Sequence, residues 1–64
     1  MRVNGTEIKL DGECTLMEFL VSKGYPIGQI AVEMNGGIVS RTAYETVTLS
    51  DGDSLEVVTF MGGG

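Results

Sequence analysis

Only one stretch of this chain reads as helix, and it is too short to stand alone. Thr15 and Glu18 have the Ser/Thr-x-x-Glu spacing of a capping box, with Thr15 at the N-cap and Glu18 at the third helical position. Leu16, Phe19 and Leu20 repeat at i, i+3 and i+4, one narrow apolar stripe. Gly24 supplies a left-handed stop after Lys23, and Pro26 prevents the helix from resuming. About eight helical residues fall short of the ~12–15 that persist in water, so this helix must pack on a sheet. A single helix of that length covers one sheet face only.

The rest of the chain supplies the strands. Asn4-Gly5 is the strongest short-range signal for a two-residue type I′ turn; Met1 to Val3 leads into it and Thr6 to Leu10 alternates polar and apolar after it. Asp11-Gly12 breaks that strand. Ile30 to Met34 reads as a strand ending at an Asn35-Gly36-Gly37 turn, followed by a short strand at Ile38-Val39. Arg41 to Glu45 reads as an irregular turn or a single helical turn, and Val47 to Leu49 as a brief bridge. After a tight turn at Ser50 to Asp53, Leu55 to Phe60 forms the last strand. Strand periodicity puts Leu55, Val57 and Thr59 on one face and Glu56, Val58 and Phe60 on the other. The order predicts an α+β fold, a twisted mixed sheet with one short helix held in its concave side.

Size and charge exclude whole classes of function. With 64 residues there is room for one domain and one core, burying only ~60% of the unfolded surface. A deep multi-residue catalytic pocket is not expected on such a scaffold. Four Lys and Arg against nine Asp and Glu give a net charge of −5, which supplies no basic face for nucleic acid or for anionic membranes and suits a basic patch on a partner protein. Cys14 is the single cysteine and there is no histidine, so neither an internal disulfide, a zinc site nor a histidine-activated nucleophile is expected. Cys14 reads as a small packing residue. No apolar run approaches a membrane span and the first residues lack a signal-peptide pattern, so a soluble cytoplasmic domain is expected.

The end of the sequence is Gly62-Gly63-Gly64. Glycine costs the most entropy to order and packs nothing, so these residues are expected to form a tail (62–64) on a domain spanning 1–61. Such a tail can be incidental. It can also thread a channel too narrow for side chains and present an α-carboxylate, unperturbed pKa ~3.5 and ionised at neutral pH. A carboxylate delivered that way can attack the α-phosphate of ATP, and the resulting acyl-adenylate can accept sulfur as a terminal thiocarboxylate.

The glycine end, the Asp51-Gly52-Asp53 turn before Leu55-Glu56-Val57-Val58, and the run from Ala31 to Arg41 together resemble the thiamine-biosynthesis sulfur carrier family, ubiquitin-like β-grasp proteins. The resemblance spans essentially the whole chain in length, element order and turn positions. It implies a cycle in which a ubiquitin-activating-type adenylyltransferase uses ATP to adenylate the Gly64 carboxylate. A sulfurtransferase relay then forms the thiocarboxylate, and a thiazole synthase accepts the sulfur. By match to the family's ending, Gly64 bears the sulfur and Gly62 and Gly63 carry it. No bound cofactor is implied. Two departures stand out: Ser40 where the family often has proline, and Tyr44 where it often has tryptophan. Neither touches the tail, so they bear on partner specificity.

Two further groups of residues have functional readings. Val58 and Phe60, with Met61 just before the tail, read as a docking patch for the activating enzyme and the acceptor; the structural counterpart is Phe60 covering the edge of the core. Glu33, Glu45, Asp51, Asp53 and Glu56 could suggest a metal site, but Asp51 and Asp53 flank a turn glycine, where Asp residues bond their own backbone. The competing functions are a ubiquitin-like interaction module or protein modifier, and a sulfur carrier serving molybdopterin or sulfur amino acids.

Overall fold

The computed structural model describes residues 1–60. Met61, Gly62, Gly63 and Gly64, and with them the expected domain boundary after residue 61, lie outside the described residues.

The chain opens with a hairpin of β1 (Arg2–Val3) and β2 (Thr6–Glu7), in which Arg2 faces Glu7 and Val3 faces Thr6. The turn is the expected one: Asn4 and Gly5 both have positive φ, 51° and 84°, as type I′ demands. β2 is shorter than its alternation promised. Ile8 to Leu10 leave the ladder, although the Ile8 N–H still reaches the Met1 carbonyl at 2.7 Å.

The helix α1 (Leu16–Ser22) has seven residues and both halves of its capping box. Glu18 N–H donates to Thr15 Oγ1 at 3.1 Å, and Thr15 N–H donates to Glu18 Oε1 at 2.8 Å. Its far end is a Schellman motif around Gly24: Gly24 N–H reaches the Val21 carbonyl and Tyr25 N–H the Leu20 carbonyl. Leu16, Phe19 and Leu20 are buried, as the stripe predicted.

After a 3₁₀ turn at Ile27–Gln29, which the sequence did not announce, β4 (Ile30–Met34) and β5 (Gly37–Val39) form a second hairpin. Asn35 and Gly36 are its turn, again with positive φ, while Gly37 belongs to the strand and not to the turn. A single 3₁₀ turn follows at Arg41–Ala43, then β6 (Thr48–Leu49), and finally β7 (Ser54–Thr59), shifted one residue from the predicted span.

Five strands make one mixed sheet in the order β2-β1-β7-β4-β5. β7 lies in the middle, parallel to β1 and antiparallel to β4. Val3, Ile30, Val32, Leu55 and Val57 turn one face toward Leu16, Phe19 and Leu20 of the helix, and Met1, Tyr44 and Leu49 complete the core.

Two features depart from the sequence reading. Cys14 and Thr15 form an unforeseen strand, β3, antiparallel to β6, so the expected bridge at Thr48–Leu49 has its partner just before the helix. Tyr44 is only 2% exposed. Its side chain is therefore part of the core and not of the surface. The reason is local: the segment 44–47 closes over the start of the helix, where the Tyr44 and Val47 carbonyls accept the Met17 and Leu16 N–H groups at 2.8 Å each.

Candidate functional site

The end of the described chain is held by the centre of the sheet. β7 is hydrogen-bonded to β1 on one side and β4 on the other. One further rung follows the strand, the Phe60 N–H to the Gln29 carbonyl at 2.9 Å. Whatever follows Phe60 thus starts from the most constrained strand of the fold.

The two faces of β7 differ as its periodicity requires. Leu55 and Val57 are buried against the helix layer, and Glu56 and Val58 point outward. Val58 is 59% exposed and Phe60 43% exposed, so both present apolar surface to solvent. Met61, the third residue of the expected docking patch, and Gly62, Gly63 and Gly64 of the expected tail fall outside the described residues.

On the outer face Glu56 and Val58 are joined by Ala31, Glu33 and Ile38, which the sequence reading did not place there. Val58 lies across from Ala31, and Glu56 across from Glu33. Glu33 in turn lies across from Ile38, which at 84% is the most exposed large apolar side chain described. The alternation in Ile30 to Met34 could have put Ala31 and Glu33 outward. Nothing local reports that β7 and β5 flank them.

The acidic turn is accounted for by its own bonding. Asp53 accepts from Ser50 N–H at 2.8 Å, Ser50 Oγ at 3.2 Å and Asn35 Nδ2 at 3.0 Å. The Asn35 amide, then the Ser50 N–H, hold its carboxyl below the usual carboxylate value. Among the described residues no group of three potential metal ligands comes together. Cys14 is a free, half-buried thiol in β3. No described helix is long and apolar enough to cross a membrane.

A mixed sheet grasping one helix, with the last strand at its centre, defines a ubiquitin-like β-grasp protein. Residues 1–64 match the family model described as the ThiS family. The chain belongs to that family. The sulfur carrier protein ThiS of Bacillus subtilis is 32% identical over 65 residues, covering 100% of this chain and 98% of that protein. The crystal structure of the thiamine biosynthesis protein (ThiS) from Geobacter metallireducens superposes with a TM-score of 0.82 at 36% identity, covering 98% of this chain and 96% of that one. The thiazole synthase of Paramagnetospirillum magneticum is 39% identical over 62 residues, 97% of this chain. This chain spans only 19% of that protein's length.

Proposed function

We propose that this protein is a consumable cosubstrate that carries sulfur on the carboxylate of Gly64 to a thiazole synthase. The carboxylate attacks the α-phosphate of ATP on a ubiquitin-activating-type adenylyltransferase and pyrophosphate leaves. A persulfide from a sulfurtransferase relay displaces AMP to give an acyl disulfide, and a second thiol cleaves its S–S bond, forming a disulfide with the relay sulfur and leaving the thiocarboxylate. The thiocarboxylate sulfur bonds to an electrophilic carbon of the acceptor, and an oxygen of the acceptor or of water attacks the acyl carbon, breaking its C–S bond and restoring the carboxylate. Gly62 and Gly63 lack the Cβ that would block a narrow channel.

The choice of acceptor rests on one observation: a stretch similar to nearly all of this chain occurs within the thiazole synthase of Paramagnetospirillum magneticum. Tethering two groups that react together raises their effective concentration to about millimolar. With Gly64 as the reacting end, four residues separate Phe60 from the carboxylate. At roughly 3.5 Å per extended residue they reach at most about 14 Å, so the partner's reactive centre lies close to the Val58 and Phe60 end of the sheet.

Intact-mass measurement tests the proposal. The protein is incubated with ATP, a sulfur donor and lysate of its source organism. The expected result is a mass gain equal to one oxygen-to-sulfur exchange, abolished by deletion of Gly64. Isopeptide conjugates would instead make it a protein modifier, and an unchanged mass an interaction module.

A further inference from the structure

Both hairpin turns are Asn-Gly pairs, and that pair has a covalent chemistry of its own. An asparagine followed by glycine cyclises readily, because no Cβ keeps the glycine nitrogen away from the asparagine side chain. The glycine nitrogen gives up its proton to base and attacks Cγ of the asparagine. The Cγ–Nδ2 bond breaks, ammonia leaves, and a succinimide ring closes. Water opens the ring at either carbonyl, giving aspartate, or isoaspartate with the main chain rerouted through the side chain. The net change is loss of ammonia and gain of water.

The attacking nitrogen is available at both turns. Among the described residues neither the Gly5 nor the Gly36 N–H donates a hydrogen bond. No atom lies within 4 Å of where a Cβ on either glycine would stand. What separates the sites is the hold on the asparagine, which must release its partners before Cγ can reach the next nitrogen. Asn4 bonds the N–H and the carbonyl of Val57, at 2.7 and 3.2 Å, and Val57 is buried in the central strand. Its release strands two shielded backbone groups. Asn35 holds the Ser54 N–H at 2.9 Å and the Asp53 carboxylate at 3.0 Å, and both bonds are exposed. Water replaces these partners at little cost.

The product at position 35 also disturbs its surroundings. Aspartate there replaces the Nδ2 donor with a carboxylate oxygen facing the Asp53 carboxylate across what was a 3.0 Å hydrogen bond. Asp53 then loses the group that does most to lower its pKa and gains a like charge in its place. Isoaspartate adds a main-chain carbon to a two-residue turn, whose geometry sets the register of β4 against β5.

We propose that Asn35 is a site of spontaneous deamidation in the folded protein, that its conversion unfastens the start of β7, and that Asn4 is spared by its clasp on Val57.

The test follows the wild-type chain by peptide mass in warm, mildly alkaline buffer, folded and in urea. Trypsin separates the two sites into the peptides 3–9 and 24–41. In the folded protein the peptide holding Asn35 is expected to gain the mass of an amide-to-acid exchange at least about tenfold faster than the one holding Asn4. In urea the two should convert at similar rates. Asp53→Ala, which removes one of the two bonds on Asn35, should speed its conversion. Asn35→Asp is expected to melt about 4 °C or more below the wild type, by less in high salt. An Asn35 that converts in urea but stays intact in the folded chain would overturn the proposal. So would equal folded rates at the two sites, or Asn35→Asp melting with the wild type.

Discussion

Asn4 and Asn35 occupy the same position in two type I′ turns, each with φ of 51°, and each uses its side chain to clasp β7. Asn4 Oδ1 accepts the Val57 N–H at 2.7 Å and Asn4 Nδ2 donates to the Val57 carbonyl at 3.2 Å, so this side chain continues the β1 edge for one rung after the strand has turned away. Asn35 accepts from Ser54 N–H at 2.9 Å and donates to Asp53. Replacing Asn4 by glycine keeps the turn but strands the Val57 N–H, at an expected cost of about 1–3 kcal/mol in urea denaturation. Asp53 adds a pH dependence. Its folded carboxyl titrates below its unfolded one, so its contribution is complete above the unfolded pKa of ~3.9 and fades as pH falls through the folded value. Urea midpoints measured from neutral pH into acid should fall more for the wild type than for Asp53→Asn. Parallel curves would refute that assignment.

At the scale of the element, α1 depends on its ends. Its first three N–H groups go to the Val47 carbonyl, the Tyr44 carbonyl and Thr15 Oγ1, and its last turn is closed through Gly24. Thr15→Ala should cost about 1 kcal/mol. No atom lies within 4 Å of where a Cβ on Gly24 would stand, so Gly24→Ala is penalised by backbone alone. At φ +79° that penalty is about 1–2 kcal/mol. In a domain this small each kcal/mol lowers the melting temperature by roughly 4–8 °C, which calorimetry resolves. If Gly24→Ala melted with the wild type, the left-handed stop would be irrelevant to stability.

Across the whole molecule, β7 joins the two ends of the chain. Its parallel pairing with β1 and its antiparallel pairing with β4 put residues from both halves into one core, which runs from Met1 to Val57. A domain of this length has roughly 3–10 kcal/mol of stability in all. Truncating a buried aromatic ring costs about 3–5 kcal/mol, so Tyr44→Ala is expected to leave much of the population unfolded by circular dichroism. Tyr44→Phe, which keeps the ring, should remain folded. Deleting residues 62–64 should change the melting temperature little while abolishing sulfur loading. A marked loss of stability would mean that the glycines pack.

What the sequence determined by itself is everything set within a few residues. Positive φ at Asn-Gly, the reciprocal bonds of Thr15 and Glu18, and the two-residue alternation of β7 depend on neighbours in the chain, and all are observed. Tertiary structure decided the rest. Cys14 and Thr15 form a strand only because Thr48 and Leu49 arrive beside them, and Tyr44 is buried only because its segment folds over the helix start. Alternation tells which residues share a face but not which strand lies alongside. For that reason the row of Glu56, Glu33 and Ile38 became visible only when three separate stretches of chain were brought into register by long-range pairing.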